Sequence, residues 1–303
     1  MTKKNIFNVA LLVFGTMIWG SAFIFQDIGM EYVEPLTFNV FRCLACTIFL
    51  VIVSFVLSKI NKNKTSNYKT KDLIIGGLIV GVLTGGAIAT QQIGISLEGA
   101  GRSGFITSLY IIFVPLIGLL FGRKVSPLIL IAIIFSITGL YLINSTEGEF
   151  SFSIGSLWLL ACAFLYALQI IGISFFTNKC DSIKLTAIQF FIAGIVEIPF
   201  MFAFEFPDMA NIIKGLFPIL YCGIMSSGIA FTIQIYTQKH IEPTIASMIM
   251  GLESVFAIIF AAIILKEKYT FIEILGCVAI FISVILTQIP IEIFTKRKRK
   301  TDE

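Results

Sequence analysis

Charge is scarce in this sequence. Of 303 residues only 13% are Asp, Glu, Lys or Arg, against about 25% in an average soluble domain. A water-soluble chain of that composition would expose apolar patches large enough to drive association, so a soluble globular class is excluded. Histidine is nearly missing, His240 being the only one. Six cysteines (Cys43, Cys46, Cys162, Cys180, Cys222 and Cys277) lie in or beside apolar stretches. Cys43 and Cys46 share a helix face at i, i+3, but no second His or Cys pair completes a metal site, and buried cysteine behaves as a small hydrophobe. No metal and no cofactor is expected. Also lacking are a Walker-type loop, a His-Glu-x-x-His pair and a Ser/His/Asp set at a shared depth. These gaps argue against an enzyme and against a primary pump with its own nucleotide-binding domain. The first apolar stretch is long enough to span and lacks a small-x-small cleavage site, so no cleavable signal peptide is expected. Basic residues occupy short loops and a tail and do not gather on one face, which argues against a nucleic-acid partner.

What is abundant is hydrophobicity: 57% of residues, with a mean hydropathy of +0.96. A spanning helix needs roughly 20 mainly apolar residues to cross about 30 Å of hydrocarbon. Stretches of that kind lie at 6–26, 36–58, 73–95, 103–122, 127–144, 154–176, 184–204, 215–237, 244–265 and 271–290. The expected fold class is an all-α membrane protein of ten transmembrane helices. Its partners are then the lipid bilayer and a small-molecule solute. A closed ten-helix bundle buries its own polar residues, so a monomer suffices, and a homodimer is equally compatible.

Orientation follows from the basic residues of short loops. With an even number of spans both termini share a side. Placing them in the cytoplasm puts seventeen Lys and Arg inside, the Lys296–Lys300 tail among them, and four outside, with Arg42 left within a span. The expected location is the cytoplasmic membrane, multi-pass, with both termini inside.

An internal repeat runs through this pattern. The stretch from Gly99 through Leu109, Phe113 and Pro115 to Arg123-Lys124 is echoed 143 residues later from Glu242 through Leu252 and Phe256 to Lys266-Glu267. At that shift Gln91 also matches Gln234, and at a shift of 149 Leu36-Thr37 and Phe41 match Leu185-Thr186 and Phe190. The repeat divides the chain at 1–147 and 148–303, five spans each. An odd number of spans inverts the second half relative to the first. In transporters such inverted repeats hold the substrate near the midplane and rock against each other.

The sequence resembles the EamA-type transporters of the drug/metabolite transporter superfamily. The resemblance is carried by Trp19-Gly20-Ser21-Ala22-Phe23, by Pro35 with Phe41-Arg42, and by Gly99 to Tyr110 with Pro115. It is also carried by Ala246 to Phe256 and by Leu265-Lys266-Glu267-Lys268. The family commonly has Pro after the Glu of the ninth span, where this chain has Ser254, so a straighter helix is expected there. The resemblance implies ten helices around a central cavity and substrates such as amino acids, other metabolites or organic cations, often exported.

Ionisable groups inside a span cost about 2.5–3.5 kcal/mol on insertion scales, so each invites a functional reading. Arg42 lies roughly 9 Å below the outer surface at 1.5 Å per residue. Glu197 lies roughly 12 Å from the outer side, and Glu253 about 14 Å from the inner side. Depth therefore favours an Arg42–Glu197 pair, with Glu253 freer and suited to proton coupling. Among the polar and aromatic residues deep in their spans, Trp19, Asn39, Gln91, Tyr110, Tyr166 and Gln234 are taken as cavity residues, with interhelical packing as the alternative role. Gly77, Gly81 and Gly85 recur every four residues, a spacing that lets a neighbouring helix come close. The expected activity is secondary transport, most simply export of amino acids or related metabolites by alternating access. A channel or facilitator and an intramembrane lipid-modifying enzyme are the alternatives.

Overall fold

The structure, a computed structural model, describes residues 3–60, 68–122, 126–144, 153–264, 266 and 268–287. Lys62, Lys64, Arg123, Lys124, Leu265, Glu267 and the basic tail lie outside the described residues. The described chain is helical, with no strand: α1 (Lys3–Gly29), α2 (Pro35–Ile60), α3 (Thr70–Thr107), α4 (Tyr110–Leu120), α5 (Pro127–Asn144), α6 (Ile154–Phe176) and α7 (Ser182–Phe204). A short α8 (Met209–Lys214) leads to α9 (Leu216–Thr237), α10 (Pro243–Ile264) and α11 (Phe271–Thr287). Seven of these are long and apolar enough to cross a membrane, while α4, α5 and α11 are apolar but shorter. Against the ten spans expected, the described residues hold seven full-length apolar helices and three shorter ones.

Local chemistry sets the helix ends. Ser153 and Asp181 cap α6 and α7 by accepting from Ser156 N and from Ile183 N and Lys184 N, which satisfies amides that have no partner inside the helix. α2 has no such local cap. The Glu205 carboxylate, from just past α7, accepts from Leu36 N at 2.7 Å, Thr37 N at 2.6 Å and the Thr37 hydroxyl at 2.7 Å.

Three helices are irregular. α3 bends at Gly99, whose φ of 75° is open to glycine and costly for other residues. The third and fourth predicted spans are therefore two helical arms parted at Gly99, the second continuing into α4. α9 carries a π-helical segment at Cys222–Ala230. α10 is interrupted at Gly251–Leu252, between Pro243–Met250 and Glu253–Ile264. Ser254 thus does not leave a straight helix, because the break sits just before it and needs no proline.

The α10 break has a twin. Between α3 and α4, Leu109 N donates to Ile106 O (3.1 Å), Ile111 N to Ser108 O (3.1 Å) and Phe113 N to Leu109 O (3.4 Å). In α10, Leu252 N donates to Ile249 O (3.1 Å), Ser254 N to Gly251 O (3.4 Å) and Phe256 N to Leu252 O (2.9 Å). Every one of these positions is 143 residues from its counterpart.

The packing is reciprocal in the same sense. α1 lies on α9 and the second arm of α10, as α6 lies on α3 and α4; α2 crosses α7, and α5 crosses α11. Gly77, Gly81 and Gly85 face Ile188, Ile192 and Ala193 of α7, closing that interface as their spacing predicts. On the outside, side chains such as Ile134, Phe200, Phe281 and Ile285 are exposed and apolar, the surface a hydrocarbon solvent requires.

Candidate functional site

At the centre, α1, α2, the first arm of α3, α4, α6, α9 and α10 surround a cavity. Of the nine residues singled out from the sequence, it brings together seven: Trp19, Arg42, Gln91, Tyr110, Tyr166, Gln234 and Glu253. Gln26, Gln169, Ser226 and Phe231 complete its polar and aromatic lining. Every lining residue is buried. Its free volume is about 40 Å³, and one water occupies roughly 10–15 Å³ on this measure. The cavity accommodates about three or four waters and must widen to admit a solute.

Arg42 anchors one side. Its Nε donates to Ser227 Oγ at 2.7 Å, Nη1 to Gln26 Oε1 at 2.7 Å and Nη2 to Ser226 Oγ at 3.1 Å. Consecutive residues of an α-helix point about 100° apart, so two adjacent serines seldom reach one guanidinium. The wider π-helical turn of α9 lets them do so, and π segments recur at functional sites. The guanidinium has five N–H donors, so two remain for an anionic ligand.

Glu253 stands on the other side, where the broken α10 meets α3 and α4. Its Oε1 accepts from Tyr110 Oη at 2.9 Å and from Ser108 Oγ at 3.3 Å. Ser108 Oγ also lies 2.8 Å from Ser254 Oγ. Tyr110 and Glu253 are repeat counterparts, 143 residues apart.

Between these poles, several polar atoms are buried without a protein partner: Trp19 Nε1, Gln169 Nε2 and Gln234 Oε1. Gln234 Nε2 donates to Gln169 Oε1 at 3.2 Å, and Tyr166 Oη to Gln91 Oε1 at 3.4 Å. Trp19 packs edge-on against Phe231 with centroids 5.1 Å apart. An unmet buried polar group costs about 1–3 kcal/mol, which a ligand or ordered water filling the cavity would relieve. Gln91 and Gln234 do line one cavity, as their matching repeat positions predict.

Two candidates fall elsewhere. Asn39 donates from Nδ2 to Ile88 O at 2.9 Å and joins helices outside the cavity lining. Glu197 lines a different crevice, and both its carboxylate oxygens lack a hydrogen-bond partner. The expected Arg42–Glu197 ion pair is not formed; among the described residues the ion pair is Arg102–Glu98, at 3.0 Å. Depth along the membrane allowed the pairing, but the Arg42 guanidinium turns instead to Gln26, Ser226 and Ser227. α7 packs on the Cys43 side of α2, where Gly194 approaches Cys43 Cβ, whereas Arg42 faces α1 and α9. Sequence reasoning missed Gln26, Ser226, Ser227 and Ser108. The double serine among the small residues of Cys222–Ala230 was the available signal.

Comparison with known proteins agrees with this architecture. The EamA-like transporter family pattern matches residues 6–145 and again residues 153–289. An uncharacterized transporter of Archaeoglobus fulgidus is 25% identical over 288 residues, covering 94% of this chain and 87% of the relative. The uncharacterized transporter YoaV of Bacillus subtilis is 23% identical over 293 residues, covering 94% and 96%. A solved crystal structure superposes with a TM-score of 0.74 at 13% identity, covering 92% of this chain and 96% of the other. That last likeness concerns the fold alone.

Proposed function

This chain belongs to the EamA-like transporter family, and we propose that it is a secondary transporter of the cytoplasmic membrane that exports amino acids or related small metabolites. That it is a multi-pass membrane transporter follows from the family and the apolar helices. The finer reading rests on one observation: Arg42 and Glu253 line the same closed cavity, with amides and aromatic rings between them. A zwitterion presents a carboxylate to the two spare guanidinium donors and an ammonium to the Glu253 carboxylate. Trp19, Tyr166 and Phe231 offer apolar contact to its side chain, and the pattern of a mainly apolar site with few convergent polar groups suits a small ligand.

Transport runs by alternating access, with residues 1–147 and 148–303 as the two halves. The closed cavity favours a carrier over a channel, since a channel keeps a continuous polar path. The family assignment likewise favours transport over an intramembrane enzyme. Glu253 carries the coupling proton: substrate ammonium and proton compete for one carboxylate, so loading one releases the other. Both termini are cytoplasmic. The protein acts as a monomer or homodimer, with lipid and solute as its partners.

Proteoliposome counterflow tests the reading. Saturable exchange of radiolabelled amino acids, accelerated by an opposing pH gradient in wild type and insensitive to it in Glu253→Gln, is the expected result. Conductance that never saturates, or exchange equally pH-sensitive in both proteins, would overturn it.

A further inference from the structure

Two turns along α9 from the serines that hold Arg42, a pair of glutamines is left half satisfied. Gln234 Nε2 donates to Gln169 Oε1 at 3.2 Å, while Gln169 Nε2 and Gln234 Oε1 have no partner among the described residues. Both side chains line the central cavity and both are buried. Two primary amides joined by a single bond always leave one NH2 and one C=O free. Turning both over only exchanges which residue offers which. Trp19 Nε1 is a further buried donor without a partner. Its ring lies against Phe231, one turn before Gln234 on α9.

The lining thus offers N–H donors beside one carbonyl acceptor. A primary carboxamide answers both glutamines at once, its oxygen accepting from one amide and its nitrogen donating to the other. A carboxylate matches the donors but sets its charge against a carbonyl oxygen. No Lys or Arg other than Arg42 lines the cavity to neutralise it, and an unpaired buried charge is costly. A hydrocarbon side chain leaves every one of these groups unmet, and sites built on hydrogen bonds discriminate most strongly against such analogues. Length narrows the class further. Ser226, which accepts from Arg42, and Gln234 are eight residues apart on α9, about 12 Å at 1.5 Å per residue. A hydrogen bond at each end takes up about 3 Å, which leaves roughly 6 Å between the two polar ends of a ligand. Two methylenes between an α-carbon and a carboxamide span that distance.

We propose, on the basis of the amino-acid reading of the central cavity, that Gln169 and Gln234 select the substrate side chain, and that this side chain ends in a primary carboxamide at the length of glutamine. Arg42 holds the α-carboxylate and Glu253 the ammonium. The methylenes lie against Trp19, Tyr166 and Phe231, and the amide docks on the glutamine pair. Docking gives Gln169 and Gln234 the partners that the protein itself does not supply.

Counterflow into proteoliposomes separates the substrates. Half-saturating concentrations are measured for radiolabelled glutamine, asparagine, glutamate and norleucine, the last an unbranched hydrocarbon analogue of similar length. Glutamine is expected to saturate at least about ten-fold below glutamate and norleucine. Asparagine falls between them, because its amide stops one methylene short. In the double variant Gln169→Leu with Gln234→Leu, the ratio of norleucine to glutamine half-saturation falls by about ten-fold or more. Replacing both partners leaves no orphaned amide between α6 and α9, which favours folding of the variant. Equal weakening of glutamine and norleucine in that variant is the mark of a purely structural pair and overturns the assignment. Equal half-saturation of the two in the wild type overturns it without any variant. Exchange of amino acids with no preference for the amide therefore removes the specificity alone. Exchange of no amino acid at all overturns the transport reading together with it.

Discussion

Tyr110 and Glu253 occupy the same position in the two halves of the sequence, 143 residues apart, and their side chains meet at 2.9 Å. A pair of repeat counterparts in contact must lie close to the axis that relates the halves. The same axis brings together both helix breaks, since Ser108 on one side bonds Ser254 on the other. The carboxylate is thus held by the other half of the molecule, and any motion of one half against the other has to change its partners.

Replacing Tyr110 by Phe removes the shorter donor to Glu253 and leaves Ser108 at 3.3 Å. Hydrogen bonds to charged groups contribute about 1.5–3 kcal/mol, and about 1.4 kcal/mol is a factor of ten. Counterflow by Tyr110→Phe is expected to fall about ten-fold, with expression and elution from size exclusion unchanged. A flux within two-fold of wild type (~0.4 kcal/mol) would show that the contact has no part in transport.

Arg42→Lys keeps the charge and loses the fork. An ammonium cannot reach Ser226, Ser227 and Gln26 in the planar geometry a guanidinium provides. The half-saturating substrate concentration in proteoliposomes should rise by about ten-fold. Methyl esters of the same substrates, which lack the carboxylate, should be affected far less by the exchange. Equal loss for acid and ester would remove the carboxylate from the Arg42 assignment.

Glu205→Ala takes away the cap of α2. Losing an N-cap costs about 0.5–2 kcal/mol, and two amides and a hydroxyl are released here at once. The thermal unfolding midpoint in detergent is expected to drop by several degrees, with substrate affinity unaltered because the cap lies outside the central lining. An unchanged midpoint would mean water replaces the carboxylate without cost.

Gly20 and Gly101 make a matched comparison. A Cβ on Gly20 would come 2.8 Å from Ala257 N and 2.9 Å from Glu253 O, whereas one on Gly101 meets nothing within 4 Å. Backbone atoms cannot rotate aside, so Gly20→Ala must push α1 away from α10, at about 1–3 kcal/mol as for overpacking. Loss of counterflow with Gly20→Ala beside a neutral Gly101→Ala is the expected contrast, measured with thermal stability on the same samples.

Much of this protein was legible in the sequence. Hydropathy is a local property, so the apolar stretches marked the helices to within a few residues. The 143-residue echo matched Gln91 with Gln234, and both line the central cavity. Depth along the bilayer also follows from residue count, and Trp19, Arg42 and Glu253, which it set deep in their spans, are buried. What counting along the chain does not contain is the direction each residue faces around its helix. That direction is set by neighbours up to two hundred residues distant, and it turned Arg42 towards the π-helical serines of α9 and left Glu197 in a separate crevice. The α2 cap is a similar case: Glu205 sits 169 residues from Leu36 and has no local signature as a capping residue. The sequence by itself determined the helices, their repeat and the membrane as solvent, because each depends on composition over one span. Only the packed tertiary structure decided which charges meet, because that depends on helix rotation and on the close approach that glycine and serine allow.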